Sequence, residues 1–112
     1  MSKPGVRILL GGASSLGPGK VALLEEIGRL GSISAAARAM EMSYRRAWLL
    51  VESMNTSFIQ PLVMTATGGK KGGGAELTDF GHEVLRRYRA MEQKAHRAIA
   101  PDLDEFSALM RS

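Results

Sequence analysis

The chain has no cysteine. That excludes disulfides, thiolate metal centres and thiol nucleophiles, and it fits an expected cytoplasmic setting. Aromatic residues are few, with one Trp, two Tyr and three Phe, so Leu, Ala and Met must fill most of the core. No long hydrophobic run is present. The longest near the start, in "MSKPGVRILLGG", is too short for a signal peptide or a spanning helix, so no membrane partner is expected. No Ser-His-Asp set and no carboxylate pair has positional support, so no enzyme and no catalytic residue is expected. His82 and His96 stand on one helical pattern without metal-ligand spacing, and no metal or cofactor is assigned.

What remains is 112 residues of ordinary globular composition, enough for one domain. Fifteen Lys and Arg stand against eleven Asp and Glu, a net charge of +4. So modest an excess says little by itself; where the cations fall says more.

Residues 6–11 read as a short strand, and "GGASSLGPG" as a turn-rich loop. Val21, Leu23, Leu24, Ile27 and Leu30 then recur at helical spacing, with Pro18 near the start and Gly31 as a stop. Strand, glycines, Lys20 and helix together suggest a phosphate-binding loop, but the pattern fails. With Lys20 as the motif lysine, Ser14 falls where the first glycine belongs and Val21 where a magnesium-binding hydroxyl belongs. Gly17, Gly19 and Ala22 meet a dinucleotide pattern, but that motif needs a second parallel strand after the helix, and here two more helices follow.

The more specific signal lies in "GSISAAARAMEMSYRRAW", residues 31–48. Ser32 or Ser34 can cap a short alanine-rich helix, and Ser43 caps a second of about four turns. Two helices so close in sequence cross steeply, with Ala36 and Ala37 allowing close approach and Met40 and Met42 covering the contact. Ala47, Trp48 and Val51 are expected on the inner side, Trp48 in the core. Arg45 and Arg46 share the outer side with Leu49, Glu52 and Ser53. They lie in the first turn, the part of a recognition helix that reaches base edges in the major groove.

Beyond Pro61, "LVMTAT" alternates as a strand, "GGKKGGG" cannot be regular, and "AELT" returns as a second strand. The result is a hairpin with a basic, glycine-rich tip carrying Lys70 and Lys71. Thr78 caps a long helix expected to end at Pro101, with a further short helix in "DLDEFSALMRS". Phe80, Val84, Tyr88, Met91, Ala95 and Ala98 form one stripe along it. Its distal turns extend past the body and suit burial against a second copy. "RRYR" at 86–89 reads as a solvated face. The fold expected is mainly α with a small β-hairpin wing: a single winged helix-turn-helix domain with a long C-terminal helix. Its parts are a helix-turn-helix at 32–57, a wing at 62–78 and a dimerisation helix at 79–100.

The elements G-S-I-S, S-Y-x-x-A-W, E-x-M-N, A-T-G-G-K-x-G-G-G-A and L-T-x-x-G stand here in order. From about Leu16 to Met91 the chain closely resembles the DNA-binding domain of the molybdate-responsive ModE regulators. Its first half is more distantly similar to the LysR-type helix-turn-helix. The resemblance implies a homodimeric transcriptional regulator that binds double-stranded DNA. It implies that Ser43, Tyr44, Arg45 and Arg46 begin the recognition helix, that Thr67, Lys70 and Lys71 lie on the wing, and that the first and last helices form the dimer contact. Full-length ModE regulators carry further β-rich domains that bind the oxyanion. Nothing after Pro101 reads as a β-barrel, so molybdate binding by this chain is not expected. The alternative function is a winged-helix protein–protein module without specific DNA binding.

Overall fold

A computed structural model describes residues 16–66 and 74–111. The strand expected at 6–11 and the wing-tip residues Thr67, Lys70 and Lys71 lie outside them. The element order is α1 (Pro18–Leu30), α2 (Ile33–Ala39), α3 (Tyr44–Ser57), β1 (Val63–Ala66), β2 (Gly74–Leu77) and α4 (Asp79–Ser107).

Each helix begins where local chemistry allows. Pro18 opens α1, where a missing N–H is no loss, and Gly31 closes it at φ 78° with its N–H donating to the Ile27 carbonyl. Ser32 is the cap that α2 uses: its hydroxyl accepts from the Ala35 N–H at 3.0 Å. Ser43 caps α3 in the same way through the Arg46 N–H, and Thr78 caps α4 through the Gly81 N–H. Between α2 and α3, Glu41 sits at φ 57°, the one positive φ outside glycine among the described residues.

The core gathers Val21, Leu23, Leu24 and Ile27 of α1, Ala36 and Ala37 of α2, and Ala47, Val51 and Met54 of α3, all buried. Small side chains where α2 meets α3 let the two helices close on one another. Met40 and Met42 pack against this core from its edge, as the sequence suggests.

The two strands pair antiparallel, with Val63 opposite Leu77 and Ala66 opposite Gly74. Val63, Ala75 and Leu77 turn inward, while Met64 and Glu76 face out. Three contacts seat this hairpin on the helices. The Ala75 N–H donates to the Gly31 carbonyl at 2.9 Å, the Thr78 N–H to the Leu62 carbonyl at 2.9 Å, and the Thr78 hydroxyl to the Pro61 carbonyl at 2.7 Å. Gly81 allows the close approach: a Cβ there would lie 2.1 Å from the Leu62 carbonyl oxygen.

Two expectations need correction. The long helix does not end at Pro101; α4 runs through it to Ser107. Proline forfeits one backbone bond, but Pro101 is exposed, so water can take the orphaned carbonyl. Pro101 with Asp102, Asp104 and Glu105 is also good first-turn chemistry, so the short helix expected after the proline continues the long one. Trp48 is not in the core: it is 41% exposed. At about 100° per residue the buried stripe of α3 runs through Ala47, Val51 and Met54, and Trp48 falls on its flank.

Candidate nucleic-acid interface

α3 presents its outer face beside the hairpin. Arg45 and Arg46 are exposed, and neither forms an ion pair with any described residue. Glu41 precedes Arg45 by four residues, a pairing distance on a helix. It lies before the Ser43 cap in the left-handed region, so no helical geometry brings the two together. Ser43 and Tyr44, the other two residues expected here, sit at the same helix start, with Ser43 as the cap and Tyr44 55% exposed.

Around the helix the side chains sort into three strips. Arg45, Leu49 and Glu52 point away from the core. Tyr44 and Trp48 flank them on one side, and Trp48 borders two hollows. One, of about 240 Å³, lies against Tyr44 and Arg45. The other, of about 150 Å³, lies between α3 and β1, with Glu52, Asn55 and Thr65 in its lining. On the opposite flank are Arg46 and, two turns later, Ser53. There the ammonium of Lys20, from the start of α1, donates to the Ser53 hydroxyl at 3.3 Å. Arg46 and Lys20 thus mark one cationic edge of the helix. In the sequence Lys20 attracts notice only as a failed phosphate-loop lysine.

Asn55 is the positioning residue that sequence reasoning missed. Its amide oxygen accepts from the N–H groups of Leu62 (2.8 Å) and Val63 (3.1 Å), and its amide nitrogen donates to the Val63 carbonyl at 3.0 Å. The end of α3 is thereby tied to the start of the wing. A polar residue near a helix end reads in sequence only as a weak terminator. Thr67, Lys70 and Lys71 fall between the described strands, so their geometry is not part of this site.

Of the other described arginines, Arg29, Arg86, Arg87 and Arg89 are held in ion pairs, while Arg38, Arg97 and Arg111 are not. Arg86 and Arg87 both reach Glu83, and Arg89 spans Glu25 of α1 and Glu92 of its own helix. Hydrogen bonds from Arg86 and then Arg87 hold the Glu83 carboxyl below the usual carboxylate range. Hydrogen bonding to Glu25 holds the Arg89 guanidinium more firmly charged than usual. Among the described residues no group of three His, Asp or Glu side chains could hold a metal ion, and no helix is long and apolar enough to cross a membrane.

No protein-family model matches the chain. Curated relatives do. The chain is 51% identical over 77 residues to the molybdenum-pterin-binding protein MopB of Rhodobacter capsulatus, covering 69% of this chain and 28% of that protein. It is 34% identical over 110 residues to the molybdenum transport protein ModE of Azotobacter vinelandii, covering 88% of this chain and 41% of that protein. It is 39% identical over 88 residues to the DNA-binding transcriptional dual regulator ModE of Escherichia coli (strain K12), covering 76% of this chain and 34% of that protein. The chain spans less than half the length of each. These relatives support a place in the ModE family of molybdate-related regulators; the Escherichia coli relative is named for regulation, the other two for molybdenum-pterin binding and molybdenum transport.

Proposed function

We propose that this chain is a ModE-type winged helix that binds double-stranded DNA as a homodimer in the cytoplasm and regulates transcription. The observation that carries the reading is the pair Arg45 and Arg46: exposed, free of carboxylates among the described residues, and held in the first turn of a capped helix beside a β-hairpin. That part of a helix enters the major groove in helix-turn-helix proteins, where a guanidinium bonds guanine with two hydrogen bonds or clamps a phosphate. Lys70 and Lys71, by their place in the glycine-rich segment between the strands, are the wing's phosphate contacts, with Thr67 beside them. The Escherichia coli relative is named a DNA-binding regulator, which supports the same partner. The reading assigns no molybdate site to this chain.

The distal half of α4 supports the homodimer. Met91 is 42% exposed and Phe106 61%, and Ala95, Ile99 and Leu103 between them are only half covered by this chain. A two-fold pair of such helices would bury that row and set two α3 helices toward half-sites one helical turn, or a multiple, apart.

The test is duplex binding at two salt concentrations together with the solution mass. A module making six to ten phosphate contacts loses about 10³-fold or more in affinity between 50 and 200 mM salt. Lys70→Ala and Lys71→Ala should each flatten that dependence by about one unit. Salt-independent or absent DNA binding would return the chain to the protein–protein reading, and a monomeric mass would remove the dimer.

A further inference from the structure

The outer face of α3 is not uniformly cationic. One turn beyond Arg45 stands Leu49, 46% exposed, and beside it Trp48, 41% exposed. Glu52 follows on the same strip. A surface that only grips phosphates gains nothing from a leucine and an indole and is weakened by a carboxylate. Phosphates would be drawn instead to the flank carrying Arg46 and Lys20. The strip of Arg45, Leu49 and Glu52 therefore suits base edges. In the major groove the one apolar group that base edges offer is the thymine C5-methyl.

We propose that Leu49, with Trp48 at its side, reads thymine methyl groups next to the base pair met by Arg45. The inference rests on the DNA-binding reading above and adds a specificity residue to it. Spacing sets the register. Four residues along a helix advance about 6 Å, against about 3.4 Å per base pair, so a thymine is required within about two base pairs of the guanine that Arg45 contacts. Trp48 widens the apolar contact toward the hollow it shares with Tyr44 and Arg45. Glu52, a turn further on, repels the backbone and keeps this strip turned to the base edges.

Replacing thymine by deoxyuridine removes the methyl and nothing else. The full chain is first used to select its preferred duplex from a random pool. Each thymine of a half-site is then replaced singly, and binding is measured with the unaltered chain and with Leu49→Ala and Trp48→Ala. The expected result is a loss of about fourfold at one or two positions, from one uncovered methyl each. That loss should vanish with Leu49→Ala and shrink with Trp48→Ala. Both residues are exposed, so both variants should fold, which circular dichroism checks. Salt-steep, selective binding with no deoxyuridine effect, or with an effect that Leu49→Ala leaves intact, overturns this proposal and spares the DNA-binding reading. Absence of DNA binding overturns both. A change in oligomeric mass with Leu49→Ala would assign the face to a second copy and also overturn it.

Discussion

The chain contains two adjacent arginine pairs on helices, Arg45-Arg46 on α3 and Arg86-Arg87 on α4, and they have opposite fates. Glu83 stands three and four residues before Arg86 and Arg87 on one continuous helix, and it holds both guanidiniums. Glu41 stands four residues before Arg45, yet the helix starts between them, at Tyr44. The same spacing thus gives an ion pair in one place and free cations in the other. A charge doublet takes its meaning from where the helix begins as much as from its neighbours in sequence. The paired set is held within its own helix; the unpaired set keeps its charge without a carboxylate partner among the described residues.

Removing each set should separate them most. Arg45→Ala with Arg46→Ala should cost on the order of 1–3 kcal/mol per lost base contact, and loosen base preference, with the melting temperature unchanged. Arg86→Ala with Arg87→Ala should leave affinity at the selected duplex nearly intact. Fluorescence anisotropy at one fixed salt concentration compares the two, and equal losses would break the contrast. A smaller effect belongs to Arg89, whose side chain is 31% exposed and bridges α4 to Glu25 on α1. Arg89→Ala should lower unfolding stability by up to about 1 kcal/mol in urea titration, without changing DNA affinity. The smallest is Glu83→Gln. The Glu83 carboxyl is held below its ordinary range, so its pairing contributes in full at neutral pH. That contribution persists down to the unfolded chain's glutamate value and is lost as pH falls through the lower folded value. The glutamine variant should therefore show a shallower loss of stability in acid, and slightly tighter binding to non-specific DNA through the released Arg86 and Arg87.

The sequence makes most of the architecture legible because its signals are local. Gly31 as a stop, Ser43 and Thr78 as caps, and two strands about a glycine segment are each decided by a few neighbouring residues, and the structure places them accordingly. The errors arise where the deciding contact is distant or the local signal has two readings. Pro101 is a breaker by its ring and a good opener by its fixed φ, and solvent exposure lets the second prevail. Trp48 reads inward by residue type, but Ala47, Val51 and Met54 already fill the buried stripe of α3. Asn55 reads in sequence only as a weak helix terminator, since its partners are seven and eight residues on and across a bend. Of the residues expected to meet DNA, Ser43, Tyr44, Arg45 and Arg46 lie at the start of α3, while Thr67, Lys70 and Lys71 stand outside the described residues.

Asn55 has one more consequence. Its three hydrogen bonds clasp the root of β1 to the far end of α3, like the rivet of a caliper. The gap between the two jaws is preset, so a duplex bound as proposed would cost less entropy in fixing the angle between them. Loosening that rivet would blur the instrument without touching either jaw.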